Sequence, residues 1–345
     1  MKRGQLDLPF HWIYILLAGV VIMLFFIGVV VKQKASSEKE ISFTILTKLQ
    51  GIFAGAALSD HTLNVVDIPH TRISFFCSED GSASYQVGDQ GFSSELPSQP
   101  FFTSSLIDGS TLVLWTLDFS LPFYVTNFLF LNSPSQSIIV IYDDTSPELK
   151  DQIERDVPSQ FHLSFVPFPQ FIASFSPSTP RVKLVFLTDP PPVLPASVQQ
   201  ISDNSVHAVK LTQTAASFYR KQGARLEYEA AVPLVRSFSE KDAAFYGALF
   251  SDDSTFYRCM MGKAFRRLSI LSDIYQQRTE RIIASYPPVD LCALQSDPHL
   301  FAALRERSLS CTPLFQDSCA GITSVGQTIS EQNDHMQRSN CPALY

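Results

Sequence analysis

The first strong pattern along the chain is an unbroken apolar run. From Phe10 to Val31 the sequence reads FHWIYILLAGVVIMLFFIGVVV, 22 residues with no formally charged side chain when His11 is neutral. At about 1.5 Å per residue such a helix extends roughly 33 Å, enough to cross a hydrocarbon core about 30 Å thick. His11, Trp12 and Tyr14 lie at one end, where amphipathic rings favour the headgroup region, and Lys32 and Lys34 mark the other. The run exceeds the apolar part of a secretory signal, and Val30, Val31 and Lys32 form no small-residue cleavage site. The pattern therefore predicts a retained single-pass anchor with the lipid bilayer as its partner. Lys2 and Arg3 before it and Lys32, Lys34 and Lys39 after it leave the orientation open.

Beyond the run the period changes three times. Ile41, Ile45, Leu49 and Ile52 give a helical stripe between Ser36 and Leu58, with Ser37 and Glu40 in capping-box spacing, and this helix either continues the anchor or packs beneath the domain. Thr71 to Cys77, Ser82 to Val87, Thr111 to Phe119 and Phe123 to Leu131 read as strands, interrupted at Pro122. From Ser137 strands and helices alternate: SIIVIY, then a helix opened by Ser146 and Pro147, then strands at Phe161 to Val166, Val182 to Leu187 and Val206 to Leu211, with an antiparallel edge strand at Arg225 to Val232. After Ser239, a plausible N-cap, the chain reads as helix. Met261, Ala264, Leu268, Leu271, Tyr275 and Ile282 form a stripe that ends before Pro287, and Ile322, Val325, Ile329 and Met336 form a last one.

The predicted fold class is α/β with a β-rich N-terminal part, a single N-terminal transmembrane helix, a small Rossmann-like sheet and a helical C-terminal part. Its boundaries are a tail at 1–9, the transmembrane helix at 10–31, a juxtamembrane helix at 32–58, a β-rich subdomain at 59–134, a Rossmann-like α/β subdomain at 135–236 and a helical cysteine-containing subdomain at 237–345.

Composition sharpens the location. The formal net charge is −7, and leaving out residues 1–34, which hold four cations and one acid, brings the remainder to −10. Such a balance argues against nucleic acid as a partner, because phosphate neutralisation needs clustered cations in excess. All six cysteines, Cys77, Cys259, Cys292, Cys311, Cys319 and Cys341, follow the apolar run, and none has CxxC spacing. Structural disulfides in an extracytoplasmic domain fit this better than a metal site, although six cysteines leave the pairing open.

The chemistry-bearing residues give no complete site. Asp143 and Asp144 close the first strand of the α/β region and Asp189 follows the third, so a parallel sheet gathers them at its carboxyl edge, where three carboxylates suit Mg²⁺. An acidic pair followed by a later acid resembles phosphoacceptor receiver domains. Against that, Asp189 precedes Pro190, Pro191 and Pro192, Pro167 to Pro180 makes a poor second helix, and no strand delivers a receiver-type Lys. Phosphate-binding glycine loops, nucleophile elbows and zinc-protease helices are missing from the sequence. His162 and His207 fall in predicted strands as packing or surface residues, and Cys259, near Arg258 and Lys263, reads as a disulfide or buried thiol. Lys263, Arg266, Arg267, Arg278 and Arg281 give the long helix a basic side, a solvated face or one that meets anionic headgroups or an acidic partner. No catalytic, cofactor-binding or metal-ligating residues are assigned.

Two resemblances add to this. KRGQ before an apolar run resembles the class III signal of archaeal pilin-like proteins, which implies cleavage between Gly4 and Gln5 and a filament-forming helix; Pro9 stands where that family carries Glu. KRGQLDLPFHWIY, LWTLDFSLPF, DAAFYGALFS, YRCMMGKAFRRL and NCPALY are similar to a group of uncharacterised archaeal single-pass membrane proteins, which implies one architecture and no activity. The expectation is a membrane-anchored, non-enzymatic scaffold or envelope interaction protein with protein partners. Its alternatives are a pilin-like filament subunit and a metal-dependent or receiver-like domain using Asp143, Asp144 and Asp189.

Overall fold

The apolar run and the stripe after it form one element. In the computed structural model, which describes residues 10–56, 59, 61–78, 81–88, 92–96, 99–311, 319 and 321–345, a single 47-residue helix, α1, runs from Phe10 to Ala56. The tail with Lys2, Arg3, Gly4, Gln5 and Pro9 lies outside the described residues. Ser37 and Glu40 sit inside α1, so the expected helix start there is corrected: an N-cap needs non-helical backbone, and the helix passes straight through. Its two halves differ in surroundings. Described side chains between Tyr14 and Val30 are exposed on every face, whereas Ile45, Leu49 and Phe53 are fully buried. Among the described residues no helix is long and apolar enough to cross a membrane.

The inner half of α1 packs on a six-stranded mixed sheet. Its strands are β1 (Leu63–Cys77), β2 (Ala83–Val87), β3 (Phe92–Glu95), β4 (Phe101–Phe102), β5 (Leu106–Ser120) and β6 (Tyr124–Asn132), in the order β3-β2-β1-β5-β6-β4. All neighbours are antiparallel except β4 and β6. β1 extends further back than expected, through Pro69, because the register shifts between Asp67 and Thr71 and relieves the missing ladder donor. Pro122 sits in the turn between β5 and β6, as its chemistry predicts.

The second mixed sheet contains β7 (Gln136–Tyr142), β8 (Leu163–Pro167), β9 (Arg181–Phe186), β10 (Val206–Leu211), β11 (Ala215–Gln222) and β12 (Arg225–Pro233), in the order β12-β11-β10-β9-β7-β8. β8, β7, β9 and β10 are parallel, joined through α2 (Pro147–Asp156), α3 (Phe168–Ser174) and α4 (Ala196–Gln199), and β11 and β12 add antiparallel. β11 escaped the sequence pattern because Lys221 occupies one of its inward positions, where its ammonium bonds the Asp203 carboxylate and the Ile201 carbonyl. His162 is corrected: it is an exposed left-handed residue before β8, not a strand residue.

A helical part closes the molecule with α5 (Ala243–Phe250), α6 (Ser254–Ser285), α7 (Leu291–Leu294), α8 (Pro298–Ser310) and α9 (Ile322–Arg338). Asp242, not Ser239, caps α5, accepting from the Phe245 amide, while the Ser239 hydroxyl bonds the Asp118 carboxylate. Three disulfides, Cys77–Cys259, Cys292–Cys341 and Cys311–Cys319, use all six cysteines. The first ties β1 to α6 across 182 residues of chain.

Around β4, β5 and β6 the first sheet is buried on both faces. On one, Phe53 of α1 meets Tyr85 and Phe101; on the other, Phe102, Phe128 and Phe130 meet Tyr257 and Phe250 from the helical part. The neighbours Phe101 and Phe102 serve opposite faces, as the two-residue period of a strand requires. α5 comes so close that a Cβ on Gly247 would lie 2.9 Å from the Phe102 ring, which explains glycine at that position. Phe53→Ala leaves a cavity in the first layer and is expected to cost roughly 3–5 kcal/mol, measured as a lowered midpoint in denaturant unfolding of the full chain.

Candidate functional site

Strand order reverses at β7, since β8 lies to one side of it and β9 to the other. In such sheets ligands bind outside the carboxyl ends at that point. A cleft of about 510 Å³ occupies this place, lined by Asp144, Ser146, Glu148, Leu187, Leu211 and Gln213. The sequence-predicted acids do border this edge, but the structure gives them other work. Asp143 Oδ1 accepts from the Thr145 amide at 2.9 Å, the Thr145 hydroxyl at 2.6 Å and Ser146 Oγ at 3.3 Å. Hydrogen bonds from Thr145 and then Thr188 hold its carboxyl down at about 2. It thus fixes the turn into α2. Asp189 is exposed and paired with Lys210 of β10, so a strand does deliver a lysine to this edge, contrary to the sequence reading. Among the described residues no three His, Cys, Asp or Glu side chains stand close enough to hold a metal ion. The three carboxylates are therefore not gathered into one cluster, as the metal-dependent alternative requires.

A second polar group, missed in the sequence, lies where the two sheets and the helical part meet. Lys183 on β9 is 1% exposed; its ammonium donates to the Ser251 carbonyl and lies 5.7 Å from the Phe218 ring centre. Next in the chain, Asp252 is 2% exposed, and its Oδ2 accepts from Ser104 Oγ at 2.7 Å, the Ser105 amide at 2.8 Å and Ser105 Oγ at 3.0 Å. His207 Nε2 stands 3.5 Å from the same oxygen, an ion-pair distance longer than a good hydrogen bond. Asp253 caps α6, and Glu229 accepts from Ser254 Oγ at 2.8 Å. The only hint in the sequence was a lysine inside the apolar run of β9.

Electrostatics explain why the cluster stays charged. Burial alone would raise the Asp252 carboxyl, but His207 and Lys183, with the donors from Ser104 and Ser105, hold it below the usual range. Burial lowers Lys183 to about 8 despite Asp252, Asp253 and Glu229. At neutral pH both remain ionised, and Asp252 joins the three parts of the fold. Chemically this is no nucleophilic triad. There a serine donates to a histidine that a carboxylate orients, whereas here both serine hydroxyls donate to the carboxylate itself.

Asp252→Ala strands the buried Lys183 ammonium without its neighbouring carboxylate and is expected to cost roughly 3–5 kcal/mol in unfolding free energy. Lys183 binds its proton less tightly folded than unfolded, so its burial penalty is full below about pH 8 and fades as pH rises from there toward 10.5. The stability of the native chain relative to Lys183→Met should rise across that window, read by urea titration at each pH. Comparison with protein-family models, curated proteins and solved structures finds no match to this chain, so its function is read from the arrangement of these parts.

Proposed function

We propose that this protein is a membrane-anchored surface component whose extracytoplasmic domain works through protein contacts rather than catalysis. The observation that carries the reading is the continuity of α1: its outer half is apolar and exposed all round, and its inner half is locked under the first sheet by Ile45, Leu49 and Phe53. A helix apolar on every side is not a solvated element. With the residues that flank Tyr14–Val30 in the sequence, the apolar run extends from Phe10 to Val31, the length of a bilayer core. Three disulfides support a location outside the cytoplasm, where they form and persist. Hydroxyls committed to Asp252 and acids committed to the α2 turn and to Lys210 support a structural role for the polar clusters.

One observation favours a second reading, a pilin-like filament subunit: a protruding apolar helix continues without a break into a segment packed on a largely antiparallel sheet. Helices of this kind associate with one another as readily as they insert in lipid. The KRGQ sequence before it is the matching signal.

Leu17→Arg with Phe25→Arg places two charges in the run, each costing about 2.5–3.5 kcal/mol at a bilayer centre. The native chain should remain in the membrane fraction after alkaline carbonate extraction and the double variant should not; a native chain released by carbonate would sink the anchor. Thiol labelling of intact cells should find no reactive cysteine until a membrane-impermeant reductant is added. Mass spectrometry of the native amino terminus separates the two readings, since a chain beginning at Gln5 supports the filament and one retaining Lys2 to Gly4 removes it.

A further inference from the structure

A strand at the end of a sheet carries backbone N–H and C=O groups without a ladder partner, and it pairs with other chains unless something prevents it. The two sheets end in β3, β4, β8 and β12. Three of these ends are guarded. α1 lies along β3, where Gln50 Nε2 donates to Ser94 Oγ at 2.7 Å. β4 is two buried residues long and lies against α5 and α6. β12 carries Arg225, Glu227 and Glu229, bulges at Glu229, and accepts from Arg258 Nη2 at its Ala231 carbonyl, 3.4 Å away. β8 has none of these devices. Leu163, Ser164, Phe165, Val166 and Pro167 hold no charge, and their register with β7 runs without a shift. Every one of them is half-buried or exposed, whereas β7 and β9 beside them are mostly buried. Among the described residues β7 is the only strand that pairs with β8. A strand of about five residues has ordinary length, so shortness does not protect it either.

Pro167 fixes which groups face outward. It stands in register with Tyr142 yet has no N–H to give β7. In a parallel ladder alternate residues bond the neighbouring strand, so Ser164 and Val166 turn their backbone groups to β7, while Leu163 and Phe165 turn theirs away. Only an extended strand can meet that row. A second β8, running antiparallel about a two-fold axis at Phe165, does so: the two Phe165 residues exchange both of their bonds, and each Leu163 N–H reaches the Pro167 carbonyl of the other copy. The same axis sets Ser164 opposite Val166 on one face and the two Phe165 rings side by side on the other, a favourable aromatic pair. Lys150 Nζ, already paired with Glu154, lies 5.8 Å from the centre of that ring. A strand of another protein would be selected through charged side chains, and β8 displays none. We infer that β8 is a self-association edge, through which two copies of this chain join their second sheets into one continuous sheet. A two-fold contact of this kind closes as a dimer.

The test is sedimentation equilibrium of the full chain in density-matched detergent at rising protein concentration. A monomer–dimer equilibrium is expected. Ser164 is exposed and tolerates replacement; Ser164→Lys and Ser164→Asp each set like charges diagonally across the axis and should weaken the dimer about fivefold. An equimolar mixture of the two variants should recover native affinity, which a merely misfolded chain would not do. In hydrogen exchange of the native chain, the Leu163 and Phe165 amides should become protected as the dimer fills. The anchor is tested apart from this edge, because Leu17→Arg with Phe25→Arg should leave the dimer intact. A native chain that stays monomeric, a dimer unchanged in both Ser164 variants, or a mixture without recovery would overturn the inference. So would loss of the dimer in the double arginine variant, which assigns association to α1, or protection of the two amides already in the monomer, which assigns the edge to another segment of the same chain.

Discussion

The structure depends on a pair of strands, β5 and β6, whose facing stretches have no solvent face. Along β6 every residue after Tyr124 is buried, and the facing stretch of β5 from Leu112 to Leu117 is buried as well. Antiparallel sheets commonly leave one face to water and then alternate apolar with polar residues. This one cannot, so both its faces must be covered by other parts of the chain. The inner half of α1 covers one, through Phe53, and α5 with α6 covers the other, through Tyr246, Phe250 and Tyr257. The abundance of phenylalanine in the sequence follows from this arrangement, since two aromatic layers are filled from a single sheet.

The same constraint explains the buried charges. Once α5 lies flat on the aromatic layer, the turn into α6 is pressed against the end of β4 and the edge of the second sheet. Its backbone groups and Asp252 then have no access to water, and buried polar groups need partners. Lys183, Ser104 and Ser105 supply them from two separate stretches of chain. Replacing such a group by apolar residues can be neutral or stabilising, so its value here lies in register: only one docking of the helical part brings all these partners together. The Cys77–Cys259 bond reinforces that docking from the first turns of α6.

Local patterns were legible and remote pairings were not. Ile45 and Leu49 announced the buried stripe of α1, and SIIVIY announced the central parallel strand, because each carries its period within a few residues. The two-residue strand Phe101–Phe102 was silent, since no period fits in two residues and its pairing with β6 is a long-range event. Ser239 reads as an N-cap from spacing, yet its hydroxyl is taken by Asp118, 121 residues earlier, leaving Asp242 to cap α5. Likewise Asp143, Asp144 and Asp189 were expected at one sheet edge, but the sequence could not show that Thr145 and Thr188 engage Asp143 and that Lys210 engages Asp189. Asp252 looked like one acid among a short polar turn, and only the fold places it beside Lys183.

The outer half of α1 sets the remaining condition on how this protein exists. Between Tyr14 and Val30 its large side chains are mostly half exposed or more, Phe25 at 66% and Leu16 at 70%. Fully burying an apolar side chain of this size is worth about 1.5–3 kcal/mol, so a dozen left in water would outweigh the net stability of about 5–15 kcal/mol typical of a folded domain. On the proposed reading the helix is sheathed, either by lipid or by like helices from other copies. The anchor and the filament subunit are the two ways to meet one surface requirement. Because α1 continues without a break into the core at Ile45, either sheath holds the acidic domain in a fixed attitude instead of on a flexible tether. A rigid strut of this kind suits the proposed surface role, since it presents the domain to its neighbours in one orientation.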